Sequence, residues 1–197
     1  MEFTAIDFET ANENLHSACA VALVRVRNGK IAERLSTLIR PPPGPFTFTY
    51  IHGITRSAVR GAKTFDQLWP RIQAFCGAAP LLAAHNARFD RGVLLSCCDY
   101  YGIAPAPYPF ACTVKAARAV WPELPRHSLD VVCGYLNIGL KHHEATSDAE
   151  ACAHILLQAA QAGFPVGQLF MPPATRRRLE SPGNSGRRAS WRARRTR

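Results

Sequence analysis

Two acidic residues stand close together in the stretch FTAIDFET at positions 3–10, which has the pattern of a strand entering a hydrophobic core. Asp7 and Glu9 alternate there with Ile6 and Phe8. Because alternate side chains of a strand share a face, both carboxylates point to the same side of the sheet. Like charges side by side on a buried strand are costly. The stretch therefore predicts that something neutralises these two acids.

Two further acids each stand near the start of a predicted amphipathic helix, on its apolar side. Asp148 lies four residues before Cys152, and Asp90 lies three residues before Val93. Residues three or four apart share a helix face, so both acids are expected to face the core. A helix N-terminus favours a negative charge, which explains one such acid as a structural feature. The same explanation is less satisfactory for two such helix acids that occur together with Asp7 and Glu9 on the strand.

Carboxylate oxygens are the ligands that hard divalent cations prefer, so the four acids predict a site for Mg²⁺ or Mn²⁺. Two such ions, ~3.5–4 Å apart, activate a water molecule and stabilise the leaving oxygen in phosphodiester hydrolysis. For any one of the acids alone, a helix cap or a surface position is the simpler interpretation. The combination favours the metal site.

The elements that must position these acids follow from hydrophobic periodicity and turn signals. Strands are predicted at 3–8, 18–27, 31–39 and 81–84, and helices at 65–76, 91–101, 114–120, 129–136 and 148–162. The RNGK turn joins the second and third strands as a hairpin, so the first three strands form an antiparallel meander. Ser147 and Glu150 have the spacing of a capping box for the last helix. The order predicts an α/β fold with a mixed sheet.

The positive charge of the chain is concentrated at its end. The formal charge is +10 over 197 residues, and the segment 174–197 carries nine arginines and one glutamate, a formal +8. That segment also lacks apolar periodicity, which predicts one domain at 1–173 followed by a basic, disordered tail. The tail could bind nucleic acid without sequence preference, or it could be a solvated appendage.

The remaining composition indicates a cytoplasmic protein without a membrane span. No run of about twenty apolar residues occurs, and the N-terminus lacks the basic start of a signal peptide. The seven cysteines are odd in number and contain no C-x-x-C spacing. Free, buried thiols are therefore expected rather than disulfides or a structural zinc site.

The local sequences around the acids resemble a known family. The motifs DFET at 7–10, HNARFD at 85–90 and HHEATSD at 142–148 are similar, in order and spacing, to the three exonuclease motifs of the DEDDh 3′-to-5′ exonucleases. This family includes the proofreading epsilon subunit of bacterial DNA polymerase III and ribonuclease T. The segments IHGIT at 51–55 and HSLD at 127–130 also resemble family segments, so the likeness covers about residues 3–163.

The resemblance implies a ribonuclease-H-like fold, two Mg²⁺ or Mn²⁺ ions and release of nucleoside 5′-monophosphates from a 3′ end. It implies that the metal ligands are Asp7, Glu9, Asp90 and Asp148, with Asp7 between the two ions. It places His143 as the general base, since a neutral imidazole can accept a proton near neutral pH. In the sister subfamily a tyrosine four residues before the last acid has this role, and here that position is Glu144.

The resemblance also implies contacts to the substrate. The backbone of Thr10 and Ala11 would approach the terminal sugar, and the terminal nucleotide would meet His52, Asn86 and Phe89. His85 and His127 are expected to be structural and hydrogen-bonded. Arg88 and Arg91 flank Asp90 and either contact phosphate or lie on the solvent face.

The substrate and the partners remain open at this level. The sequence favours single-stranded or frayed DNA 3′ ends, because AIDFETAN at 5–12 resembles stand-alone bacterial exonucleases near the epsilon subunit. RNA 3′ ends are the alternative, since the motifs do not show how a 2′-hydroxyl is treated. A catalytically idle nucleic-acid-binding module and a polymerase-associated subunit are the other possibilities, and the resemblance allows either a monomer or a homodimer.

Overall fold

A computed structural model describes residues 1–77, 81–104 and 107–172 of the chain. The strands are β1 Phe3–Thr10, β2 Ala18–Arg27, β3 Lys30–Leu38, β4 Leu82–Ala84 and β5 Phe110–Cys112. The helices are α1 Thr49–His52, α2 Arg56–Val59, α3 Phe65–Cys76, α4 Arg88–Tyr100, α5 Thr113–Val120, α6 Leu129–Leu136 and α7 Ala145–Gln161, followed by a 3₁₀ helix at Val166–Leu169. The tail predicted at 174–197 lies outside the described residues.

The five strands form one mixed sheet in the order β3-β2-β1-β4-β5. β1, β2 and β3 pair antiparallel, whereas β4 pairs parallel with β1 and with β5. Asn28 and Gly29, with φ of 50° and 72°, make the two-residue turn between β2 and β3, the positive φ values that such hairpins need. The predicted α/β fold with an antiparallel meander and parallel strands is confirmed.

The sheet separates two cores because side chains alternate along β1. Ile6 and Phe8 pack with α3 and α4 on one face. Phe3 and Ala5 pack with α7 on the other. Asp7 continues that second row, so the strand itself turns the acids towards α7.

Several predicted boundaries need correction. β1 runs to Thr10, two residues beyond the prediction, and α4 begins at Arg88, three residues before it. Sequence periodicity also missed β5 and the two four-residue helices α1 and α2, which are too short to show a period.

The capping box predicted for the last helix is wrong. α7 begins at Ala145 with Glu144 as its N-cap, so Ser147 lies inside the first turn. Its hydroxyl accepts a hydrogen bond from the backbone N–H of Lys141 at 2.8 Å, which fastens the preceding loop to the helix. Glu150 pairs instead with Arg34 of β3.

The expected thiol state is confirmed, because all seven cysteines are free and buried. Among the described residues, none of the helices has both the length and the apolar character needed to cross a membrane.

Candidate active site

The C-terminal end of β1 presents two acids on the face that α7 covers. Asp7 and Glu9 are half-buried, while their neighbours Phe8 and Thr10 are buried. Asp7 and Glu9 pair with Ala22 and Ala20 of β2, whereas β4 pairs with the earlier residues Thr4 and Ala5 of β1. The pairing with β2 keeps both acids in extended backbone, on the same face of the strand.

Helix α7 brings Asp148 to the same place. Below it, the small residues Ala149 and Ala153 pack in one core with Ala5 and Ala22 of the sheet. Small side chains on both surfaces allow the helix axis to lie close to the strands. A short aspartate in the first turn can then reach β1, and one carboxylate oxygen from each of Asp7, Glu9 and Asp148 lies within 4.8 Å of the others.

Asp90 enters from the opposite side. It stands in the first turn of α4, is only 1% exposed, and its Oδ1 accepts a hydrogen bond from the backbone N–H of Phe8 at 3.0 Å. It is not part of the 4.8 Å group of the other three acids. Its charge nevertheless acts on Asp7 more strongly than that of Glu9 or Asp148.

Burial raises the pKa values of all four acids, and repulsion from neighbouring carboxylates adds to the rise for Asp7, Glu9 and Asp90. Desolvation is the main cause for Asp7, followed by the charges of Asp90, Glu9 and Asp148, and its pKa lies well above the ordinary value. Desolvation and then Asp148 raise the pKa of Glu9 to about 7. Desolvation also raises the pKa values of Asp90 and Asp148, against hydrogen bonds that lower them. The metal-free cluster therefore tends to hold protons.

The residues present fit divalent cations. Asp148 is 5% exposed, and its Oδ1 is buried without a hydrogen-bond partner among the described residues. An unpaired buried carboxylate oxygen costs free energy unless a cation or proton satisfies it. Oxygen atoms alone make up the Asp7, Glu9 and Asp148 group, which is the donor type that Mg²⁺ and Mn²⁺ prefer.

Two adjacent histidines border Asp148 on the solvent side. The backbone N–H of His143 donates to Asp148 Oδ2 at 3.0 Å, and Nδ1 of His142 lies 3.3 Å from the same oxygen. The two imidazole rings stack with centroids 3.9 Å apart. His143 has a φ of 68°, a left-handed conformation that is uncommon for a histidine. The His143 ring is exposed and lies at the edge of the acidic cluster, where it can meet a substrate.

A cavity of about 330 Å³ connects most of the predicted site. Its walls include Asp7, Glu9, Asn86, Phe89, His143 and Asp148. Phe89 is 38% exposed, which leaves part of its ring free for contact. We refer to this space as the acidic cavity.

Three predicted substrate residues lie beside the acidic cavity and not on its wall. Thr10 and Ala11 are buried at the end of β1. Ile54 donates its backbone N–H to His52 Nδ1 at 3.0 Å, so Nε2 carries the proton and donates to the Thr10 carbonyl at 3.1 Å. Desolvation lowers the pKa of His52. A neutral His52 therefore fixes the backbone that follows Glu9.

The expectation that His85 and His127 are hydrogen-bonded is confirmed. Nε2 of His85 lies 3.1 Å from the His127 carbonyl and its Nδ1 lies 2.9 Å from the hydroxyl of Thr113, while His127 bonds the Trp121 carbonyl. Burial lowers the pKa of His85 to about 4, which keeps it neutral. Both rings line the acidic cavity, a position that sequence reasoning did not foresee.

The arginines beside Asp90 lie on the outside of α4. Arg88 is exposed, and Arg91 donates to the Pro172 carbonyl at 3.2 Å.

Of the residues that sequence reasoning undervalued, His142 is the most important, because it contacts Asp148 directly. The sequence did not indicate this contact, because a single sequence does not show which of two adjacent histidines approaches a given acid.

Comparison with known proteins agrees with this geometry. The family model RNase_T, described as an exonuclease, matches residues 4–156. The PolC-type DNA polymerase III of Halalkalibacterium halodurans is 35% identical over 160 residues, and that of Clostridium perfringens is 32% identical over 159 residues. Each match covers 79% of this chain but only 11% of the polymerase.

Solved structures show the same architecture. Exonuclease X in complex with 5′ overhanging duplex DNA has a TM-score of 0.69 and 26% identity, over 84% of this chain and 96% of that one. The nuclease domain of 3′hExo, a DEDDh family member bound to rAMP, has a TM-score of 0.75 over 88% of this chain and 97% of that one. At 18% identity, the second shows a common fold alone. The chain belongs to this exonuclease family, in the DEDDh class of 3′-to-5′ exonucleases.

Proposed function

We propose that the protein is a divalent-metal-dependent exonuclease that shortens single-stranded or frayed DNA from the 3′ end and releases nucleoside 5′-monophosphates. The observation that carries this proposal is the convergence of three carboxylates within 4.8 Å, with a buried Asp148 oxygen that has no hydrogen-bond partner among the described residues. A cluster of this kind repels a phosphodiester unless cations neutralise it.

The metal ligands in this proposal are Asp7, Glu9, Asp90 and Asp148. Two Mg²⁺ or Mn²⁺ ions held there would polarise the phosphodiester and promote formation of the attacking hydroxide. Asp90 has one oxygen engaged by Phe8, so its second oxygen is the one available to a cation. Asp148 is likewise held at Oδ2 and unpartnered at Oδ1, which leaves Oδ1 for a cation.

His143 is the general base in this proposal. Its backbone N–H is anchored to Asp148, while its ring is exposed and free to turn about the side-chain bonds. The imidazole accepts a proton from the attacking water as the new bond to phosphorus forms. Stacking on His142 gives the ring a resting position beside the cluster.

The terminal nucleotide is held by the rest of the acidic cavity. Phe89 offers an exposed ring face on which a base can stack, and Asn86 lies beside it with hydrogen-bonding capacity. The backbone of Thr10 and Ala11 would approach the terminal sugar from beside the acidic cavity, and His52 acts by fixing the Thr10 carbonyl. DNA is favoured as substrate because the PolC-type relatives are DNA polymerases and exonuclease X is seen with DNA.

The test is an assay of DNA and RNA oligonucleotides labelled at the 3′ or the 5′ end, with Mg²⁺, Mn²⁺ or EDTA. Loss of single nucleotides from the 3′ end of DNA, abolished by EDTA, is expected. Preference for RNA would make the protein an exoribonuclease, and activity in EDTA would exclude the metal mechanism. Binding without hydrolysis under all conditions would instead indicate an idle or polymerase-associated module. The proposal takes the enzyme as one domain at 1–173, and sedimentation of the same sample distinguishes a monomer from a homodimer.

A further inference from the structure

A second cavity of about 260 Å³ lies next to the end of β1 and is lined by arginines over an apolar floor. The lining consists of Arg40, the prolines at 41–43, Phe46, Arg56, Val59 and Arg60. We call it the arginine groove. We propose that the arginine groove binds the DNA strand upstream of the terminal nucleotide, by contacts to its phosphates and bases. This inference rests on the proposed function and extends it to a second nucleotide-binding site.

The first support is charge. The lining includes three arginines and no acidic residue. In the described part of the chain, the arginines in ion pairs are Arg25, Arg27 and Arg34, so those of the groove have no acidic partner there. Arginines without acidic partners around a concave surface are suited to a polyanion, because each guanidinium can donate two hydrogen bonds to one phosphate.

The second support is the apolar floor. Phe46 carries the Arg56 guanidinium above its ring at 5.2 Å, and Arg56 also donates to the Gly44 carbonyl. This arrangement presents a flat cationic surface beside proline rings. Nucleobases stack on such surfaces without regard to sequence, whereas a purely phosphate-binding patch needs no apolar floor.

The third support is the rigid link between the groove and the acidic cavity. Phe46 and Val59 pack against Ala11, which lies two residues after Glu9. Asn12 donates to the Pro45 carbonyl at 2.7 Å, and Phe48 donates its backbone N–H to the Ala11 carbonyl at 3.1 Å. Two residues of strand span about 7 Å, so the packing around Ala11 places the groove close to the end of β1 that carries Glu9.

The same charge argument excludes the arginine-rich segment 174–197 as the occupant. That segment carries a formal +8, and a positively charged groove repels it. A nucleic acid strand has the opposite charge and is already brought near by its 3′ end. A strand held at both places is positioned by two linked contacts, which strengthens binding through effective concentration.

The experiment compares an Arg56→Gln, Arg60→Gln double variant with a control pair, Arg71→Gln and Arg118→Gln, which removes the same charge from exposed arginines outside both cavities. Binding of a labelled DNA strand of about twelve nucleotides is measured in EDTA over a series of salt concentrations. Hydrolysis of the same strand and of a dinucleotide is measured in Mg²⁺.

We expect the groove variant to bind the long strand about tenfold more weakly and to lower the salt slope by about 1.4, or about 0.7 for each phosphate that an arginine no longer neutralises. The control pair keeps the wild-type slope. Hydrolysis of the dinucleotide, which is too short to reach the groove, stays within about twofold of wild type. Arg60→Glu serves as a second variant that leaves the interactions of Arg56 intact, in case the double variant melts at a lower temperature.

Three results would overturn the inference. The first is that the groove variant binds the long strand with the same affinity and salt slope as the control pair. The groove would then be a site for an acidic protein partner and not for DNA. The second is an equal loss on the dinucleotide, which would place the damage in the acidic cavity. The third is an unaltered long-strand affinity in Arg60→Glu. Failure of the proposed function is distinguishable, because the wild-type protein would then shorten neither strand.

Discussion

The acidic cavity and the arginine groove both adjoin the end of β1 and have opposite electrostatics. The acidic cavity gathers carboxylates whose pKa values are raised by burial and, for Asp7, Glu9 and Asp90, also by neighbouring carboxylates. The arginine groove exposes guanidinium groups to solvent over prolines and Phe46. Both are proposed to contact the same polyanionic strand. The groove attracts that strand by its own charge, whereas the acidic cavity needs bound cations to do so.

The difference indicates a division of work. A negatively charged, partly buried cluster can act on a phosphodiester only after cations reverse its charge, so chemistry there depends on metal. An exposed positive surface supplies binding that depends on salt and on strand length. Changes in the acidic cavity should therefore alter turnover for every strand length, whereas changes in the groove should alter the use of long strands.

Removal of the charge of Asp7 is expected to have the largest effect. Asp7→Asn keeps the shape of the side chain but removes an anionic ligand, and turnover should fall by more than about 100-fold, since even partners outside a metal's ligands cost about 10–100-fold. Long strands and dinucleotides should lose activity equally. The measurement is kcat/KM on both substrates, with Asp99→Asn, an exposed acid of α4, as the control. A loss confined to long strands would contradict the assignment.

Removal of the His143 ring is expected to lower turnover by about 10²–10⁴-fold, the usual contribution of a general base. His143→Ala should still bind Mg²⁺, because its backbone N–H and not its ring holds Asp148. His142→Ala removes one hydrogen bond to that acid and should cost about tenfold. Single-turnover rates and metal-dependent melting temperatures report the two effects. Equal losses in turnover for the two variants would refute the role of His143.

Metal binding is expected to stabilise the folded protein by relieving repulsion in the acidic cavity. At about 100 times the dissociation constant the gain is about 2.7 kcal/mol, which raises the melting temperature by about 5 to 10 °C in a domain of this size. The measurement is a melting curve in EDTA, Mg²⁺ or Mn²⁺. Arg56→Gln, Arg60→Gln should show the same rise, since the groove takes no part. A melting temperature indifferent to millimolar ions would contradict the metal site.

The smallest expected effect is a dependence of stability on pH in the metal-free protein. The pKa of Glu9 rises from 4.5 to about 7 on folding, so the folded state holds its proton longer than the unfolded chain does. Between these values the unfolded chain has fewer bound protons at this position, and the contribution of Glu9 to stability falls as pH rises. Glu9→Gln should therefore melt higher than wild type near pH 7.5 in EDTA and equally at pH 4.5.

Glu9→Gln must be compared with the wild-type protein at each pH, because His85 changes the stability of both proteins with pH in the opposite direction to Glu9. Its pKa is lowered to about 4, so its contribution to stability grows as pH rises through the ordinary histidine range. Both proteins contain His85, and its effect cancels in their difference. A difference that is constant with pH would show that Glu9 is not desolvated as described.

The fold was predictable from the sequence where periodicity is long and regular. β2 and the helices α3 and α6 have the predicted bounds, since an apolar run that ends at a turn signal or apolar repeats over two or more helical turns leave little ambiguity. β5 could not be predicted, because it has three residues and depends on pairing with β4 and Met171, which are distant in the sequence. The start of α7 was misplaced because the Ser147 side chain caps a loop N–H rather than the helix.

The acids themselves were predictable because each breaks an apolar pattern at a particular register. Asp7 and Glu9 share a face by the period of a strand, and Asp148 lies on the buried stripe of its helix. That is local information, written in the sequence. The sequence therefore determined the residue types of the site, the class of fold that carries them and the family to which the chain belongs.

The tertiary structure decided how these residues meet. Packing of small residues between α7 and the sheet brings Asp148 to Asp7 and Glu9, and a hydrogen bond from the Phe8 amide holds Asp90 beside β1. Contact with Asp148 gives His142 a role, and the β1 end joins the acidic cavity to the arginine groove. Such relations are between residues far apart in the chain, and no local pattern encodes them. They arise because close packing fixes distances that periodicity leaves free.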